Sequence, residues 1–296
     1  MTDLLLHPHP RPGAHRPASA DESGAVLAPR ATELIAAACA MGRRPVALLP
    51  ALFCAEVAAA VERAGVRCRV YDVPEDLSHP AECARAALTP EVGAVVAVHP
   101  FGLARPWPQV QMGEGVVMVV DACHALRTSH AMAGLIGGGD VVVYSPRKEL
   151  GWPRGGVATG PRACELGETG PVSAALRRRW RERDLDASAH EGRRVTLAAR
   201  AALDDLLPPG GPDEVLLALP LLSPRRDEAI RRLRGLGLGA WRWRRPLPGA
   251  GPSTTPGAWA LRQRLVMVPL PPAPGPALDR ILDHVSREPL EPWPCR

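Results

Sequence analysis

The sequence predicts an α/β fold, a three-layer arrangement of a mostly parallel sheet with helices on each face, followed by a smaller C-terminal α+β domain. Three observations carry this. Short apolar runs recur without polar alternation, as in PVALLP (45–50), VGAVVAVHP (92–100) and VVMVVD (116–121), which is the pattern of strands buried on both faces. Helical stretches separate them, so the strands are joined by crossovers and lie parallel. After PPGGP (208–212) the regular alternation stops and a different style of chain begins.

The elements follow in order. Residues 1–24 repeat proline and histidine with little to bury and read as a disordered tail. A large domain is expected over 25–185. It opens with an alanine-rich helix at 31–41, then the strand 45–50, a helix at 54–64, a strand at 68–73 and a helix at 80–88. Strands follow at 92–100, 116–121, 141–145 and 155–160. Residues 171–205 read as largely helical and arginine-rich. The second part, 186–296, is a helical connection and a small domain with strand-like VLLALPLL (215–222), a helix at 225–236, a strand at 264–270 and a helix at 277–285. LPGAGPSTTPGAW (247–259) reads as a long glycine- and proline-rich loop.

Composition excludes several classes. The net charge is +5, but 36 basic residues face 31 acidic ones. The basic clusters RRRWRER (177–183) and WRWRRP (241–246) come without a nucleic-acid motif and read as solvated faces. Seven cysteines, an odd number without CxxC spacing, point to a reducing compartment and no disulfide framework. No apolar run reaches membrane-spanning length, and the start has no signal core, so the expected place is the cytoplasm, with neither membrane nor nucleic acid as partner. His7, His9 and His15 have nothing to fix their geometry, and no metal site is expected.

The 36 basic residues include one lysine, Lys148, inside YSPRKELGWPRGG. Arginine keeps its proton in proteins and cannot serve as an amine nucleophile, whereas lysine can. Lys148 is the first candidate for a Schiff base. Asp121 ends one predicted strand and Ser145 another, and in parallel sheets ligands collect at the carboxyl ends of strands. An amine, a carboxylate and a hydroxyl at such an edge are what pyridoxal 5′-phosphate needs: an aldimine lysine, a partner that keeps the pyridine nitrogen protonated, and a phosphate contact. The other reading of Asp121 is a helix cap, of His124 a structural histidine, and of Ser145 a turn residue.

The motifs resemble one family. VVDACHALR (119–127), YSPRKELGWPRGGVATG (144–160), ALLPALFCAEVAAAVERAGVRCRVYDV (47–73) and LTPEVGAVVAVHPFG (88–102) resemble the DegT/DnrJ/EryC1/StrS family of fold-type-I pyridoxal-phosphate aminotransferases, most strongly over 46–160. The resemblance implies that Lys148 forms the internal aldimine and that Asp121 pairs with the pyridine nitrogen. It places His124 near the cofactor ring and Ser145 at the phosphate. His99 and Phe53 would line the substrate side. It also implies a homodimer acting on an amino donor and a carbonyl acceptor of secondary metabolism or amino-sugar synthesis.

The chain departs from the family pattern in three places. PRATE (29–33) stands where a Gly-Thr pair usually cradles the phosphate, leaving Arg30 and Thr32 as the candidates. Cys54 stands where an aromatic residue often stacks on the ring. An asparagine commonly reaches the phosphate from the partner subunit, and this sequence has none. These departures keep two alternatives open: a pyridoxal-phosphate lyase, decarboxylase or cyclase acting on a modified amino acid, and a catalytically degenerate paralogue serving as a binding or partner subunit.

Overall fold

The computed structural model describes residues 25–78, 80–104, 113–131, 139–166, 174–211, 213–243 and 245–294; the expected tail, 1–24, lies outside them. Seven strands form the main sheet: β1 (Val26–Ala28), β2 (Val46–Pro50), β3 (Arg67–Tyr71), β4 (Val92–Val98), β5 (Val117–Asp121), β6 (Val141–Tyr144) and β7 (Gly156–Thr159). Their spatial order is β1-β7-β6-β5-β4-β2-β3. The run from β3 to β6 is parallel, and β7 is antiparallel to both its neighbours, β6 and β1. Every residue of β2, β5 and β6 is buried, as unalternated apolar runs demand.

Helices α1 (Ala31–Ala40), α2 (Ala55–Arg63), α3 (Pro80–Ala86), α4 (Leu126–Ala131), α5 (Pro146–Glu149), α6 (Ala174–Arg181) and α7 (Leu185–Leu203) surround this sheet. One face packs against α1 and α2 through Leu34, Ile35, Val57 and Val61, which join Leu49, Val96, Val119 and Val143 in a single buried cluster. The other face belongs to a second cluster that continues through Trp180 and Leu203 into the C-terminal part.

There β8 (Ala218–Leu222) and β9 (Leu265–Pro269) pair antiparallel, and Trp241 bridges to Met267 on the far side of β9. Helices α8 (Arg226–Gly235), α9 (Pro256–Arg264) and α10 (Pro276–Ser286) complete this region. One expectation needs correction, and one element was not foreseen. The segment 247–259 is not loop throughout, because α9 starts at Pro256. Proline suits the first helical position, and the Asp72 carboxylate accepts the N–H groups of Gly257 and Ala258 at 3.0 and 2.9 Å. The strand β1 had no counterpart in the sequence reading, since three residues carry no periodicity.

The two sheets meet at a turn just past β4. Pro100–Gly102 forms a 3-10 turn in which Phe101 has φ 63° and Gly102 φ 94°. A Cβ on Gly102 would lie 2.0 Å from the Val215 carbonyl oxygen, so only glycine admits this approach. The buried Thr128 hydroxyl donates to the carbonyls of Gly102 and Val215 at 2.8 and 3.2 Å and accepts the Val215 N–H at 2.9 Å. Buried Glu214 accepts the Ala104 N–H at 2.8 Å and pairs with Arg200 of α7 at 3.1 Å.

Candidate active site

Register brings the expected residues together. Val98, Asp121 and Val143 are partners across β4, β5 and β6, so His99, Asp121 and Ser145 emerge side by side at the carboxyl edge. The His99 N–H donates to the Asp121 carbonyl at 3.1 Å, extending the ladder by one bond. His99 is 1% exposed and Asp121 9%. The Asp121 carboxylate accepts the Cys123 N–H at 2.9 Å. That bond tightens the turn leading to His124 and leaves the second carboxylate oxygen for another partner.

Lys148 is exposed, yet its side chain turns back to the site: Nζ lies 2.8 Å from His124 Nε2. It makes no ion pair with Asp121. On the far side of the imidazole the Phe101 N–H donates to Nδ1 at 3.3 Å. With Nδ1 accepting, the neutral ring carries its one proton on Nε2, facing the lysine amine, and a second proton would have to go on Nδ1 against the Phe101 N–H. Burial, and after it the positive charge of Lys148, holds His124 well below its ordinary value of 6.5. The ring is therefore neutral at physiological pH.

Ser145 is buried and precedes α5 without capping it through its side chain. Its carbonyl accepts the Lys148 N–H at 3.0 Å. The next residue after the lysine, Glu149, had no place in the sequence reading. It is buried and accepts the N–H groups of Leu126 and Arg127 at 2.5 and 3.0 Å, and it pairs with the Arg127 guanidinium at 3.3 Å. The lysine segment is thereby tied to the first turn of α4, just beyond His124. Burial raises the Glu149 carboxyl above its ordinary value, while Arg127 and the two N–H groups work the other way.

The start of α1 reaches the same edge. The Gly155 N–H donates to the Pro29 carbonyl at 3.1 Å, and a Cβ on Gly156 would lie 2.4 Å from the Ala31 nitrogen. Arg30 is the exposed N-cap residue, and no side chain caps the helix. Thr32 sits half-buried in the first turn. An uncapped helix start presents backbone N–H groups suited to an anion.

Cys54 is exposed at the N-cap of α2, whereas Cys39 and Cys123 are buried. Phe53 is buried in the core. Its carbonyl accepts the Trp243 indole N–H at 2.8 Å. Trp243 stands edge-on to Phe101 and His124, with ring centroids 5.8 and 6.3 Å away. Neither Trp243 nor Phe101 was singled out in the sequence. Trp243 lies 95 residues beyond Lys148 inside an arginine-rich cluster, and only the fold brings it to the site.

No group of three or more His, Cys, Asp or Glu residues able to hold a metal occurs among the described residues. Among them, no helix is long and apolar enough to cross a membrane.

Comparison with known proteins adds to this geometry. A DegT/DnrJ/EryC1/StrS aminotransferase from Brucella abortus superposes with a TM-score of 0.70 at 19% identity, covering 88% of this chain and 85% of that one. DesV of S. venezuelae, solved in complex with a ketimine intermediate, gives 0.69 at 22% identity, with 88% and 83% covered. NtdA of Bacillus subtilis, solved with its cofactor PMP, gives 0.67 at 15% identity, with 88% and 72% covered. No curated protein sequence matches. The model of the DegT/DnrJ/EryC1/StrS aminotransferase family matches residues 28–160, the span that holds every strand of the main sheet but β1's first two residues, together with Asp121, His124, Ser145 and Lys148. The chain thus has the fold of these aminotransferases, and its residues 28–160 match the model of the DegT/DnrJ/EryC1/StrS aminotransferase family.

Proposed function

We propose that this protein is a pyridoxal-phosphate-dependent aminotransferase of the amino-sugar or secondary-metabolite type, taking an amino group from an amino acid and giving it to a carbonyl acceptor. The observation that carries the reading is the sole lysine of the chain, its amine 2.8 Å from an imidazole on the turn that follows the buried carboxylate of Asp121. The residues suit the cofactor. Lys148 would hold its aldehyde carbon and Asp121 its ring nitrogen. The Ser145 hydroxyl and the open start of α1, with Thr32 and Arg30, would hold its phosphate. Cys54 lies on the same rim, and His99 would line the substrate side; Phe53, packed in the core, has no surface to offer a substrate. The solved relative with bound PMP and the one with a ketimine intermediate agree with this choice.

When bound, pyridoxal phosphate supplies an electron sink for breaking a substrate Cα–H bond. This chain's residues do the rest. Asp121 would face the ring nitrogen and favour its protonated form. His124, neutral, would stand beside the ring without adding positive charge. Lys148, free of Asp121, can take a proton from the substrate carbon and return it. Phe101 and Trp243 wall the site against water. The working assembly is a homodimer, as the resemblance implies.

Borohydride reduction after incubation with pyridoxal phosphate tests the assignment. The expected product is one adduct, mapped to the peptide containing Lys148, and its loss in Lys148→Arg. With no second lysine in the chain, an adduct elsewhere or none at all refutes the site.

A further inference from the structure

The small sheet's flank holds a guanidinium with nothing to bind. Arg262, in the last turn of α9, is 7% exposed, and both its Nη atoms are closed off from solvent without a hydrogen-bond partner. Buried polar groups are almost always paired, and an isolated buried charge is costly. Its charged neighbours are cations. Burial, then Arg226 and Arg242, pulls its pKa down to about 10, which leaves it protonated at neutral pH.

Both of these neighbours bind one carboxylate, that of Asp227. Arg226 donates from Nε to Asp227 Oδ1 at 2.9 Å and from Nη1 to the Arg262 carbonyl at 2.5 Å. Arg242 Nη1 donates to both Asp227 oxygens at 3.0 Å. Arg226 and Arg242 thus share the Asp227 carboxylate, Arg262 has no carboxylate partner among the described residues, and the four side chains together keep two positive charges, one of them buried. A divalent oxyanion would balance it, and the planar fork of Arg262 suits two oxygens of one such group.

We propose that Arg262, Arg226 and Arg242 form a binding site for a phosphate group. The side chains of Arg242 and Asp227 are 50% and 49% exposed, so they are free to shift as the anion enters. Arg242 directly precedes Trp243, whose indole walls the site at Lys148, so a phosphate seated here would steady the segment that carries that wall. The inference stands on the arginine cluster alone and is independent of the proposed chemistry at Lys148.

The test uses the full chain saturated with pyridoxal phosphate, so that any phosphate pocket at the lysine is already filled. Thermal unfolding is followed against inorganic phosphate and, separately, a nucleoside diphosphate, with chloride at equal ionic strength as control. The expected result is a saturable rise in Tm, corresponding to about an 11-fold gain in the folded-to-unfolded ratio at ten times Kd. Arg262→Met should show no phosphate response and should melt above the unmodified chain in chloride, because an apolar isostere replaces an unpaired charge. Arg242→Gln, at an exposed position, should raise the half-saturating concentration, and it serves as the test if Arg262→Met does not fold. A response to the diphosphate alone would identify the group as one carried on a substrate; a response to both would identify free phosphate as sufficient. No response to either, or responses unchanged in both variants, overturns the proposal.

Discussion

His124 shows how one residue links site geometry to stability. Its ring lies between the Phe101 N–H and the Lys148 amine, and its pKa falls well below 6.5, first through burial. The folded chain therefore refuses a proton that the unfolded chain accepts. Stability from this residue is present above pH 6.5 and is lost as pH falls from there toward the lower folded value. The slope contributed is at most about 1.4 kcal/mol per pH unit. Chemical denaturation between pH 7.5 and 5 should show this loss, and His124→Phe should flatten it. An equal slope in both proteins would place the titration elsewhere. Lys148 and Asp121 were legible in the sequence because each stands alone in type or at a strand end. Trp243 and Glu149 were not: a tryptophan in an arginine cluster and a glutamate after a lysine read as surface until the chain folds back on itself.

At the scale of elements, apolar runs revealed β2, β4, β5 and β6, and helical stretches revealed α1, α2 and α8, with ends shifted by one or two residues; the single helical reading of 171–205 takes in both α6 and α7. The misses have two causes. Segment β1 and helices α4 and α5 are too short for a period to show, and α9 owes its start to a residue far away in sequence. Asp72, just after β3, accepts two N–H groups of that start. Asp72→Ala should cost about 0.5–2 kcal/mol, the usual range for a lost cap. Urea unfolding should report it as a lower midpoint with an unchanged slope. Gly257 supports the same contact, since a Cβ there would lie 2.5 Å from the Val73 carbonyl oxygen.

Over the whole molecule, one buried cluster joins Val120 and Tyr144 of the main sheet to Leu216, Met267 and Trp293 of the C-terminal part. Thr128 and Glu214 fasten the same junction with hydrogen bonds. We propose that the division between 25–185 and 186–296 separates two architectures, not two independently folding units. Far-ultraviolet circular dichroism and tryptophan fluorescence should then give coincident unfolding curves. Two separated transitions would assign each part its own stability.

The main sheet ends on one side at β3, and among the described residues no strand pairs with its outer rim. Arg67 and Arg69 are exposed there, while Tyr71 is buried. Arg67 faces Glu91, and Arg69 donates to the Thr89 hydroxyl at 3.0 Å. Another copy's strand docking along this rim would have to strip water from two guanidiniums at alternate positions. The rim is thereby guarded against strand-to-strand aggregation.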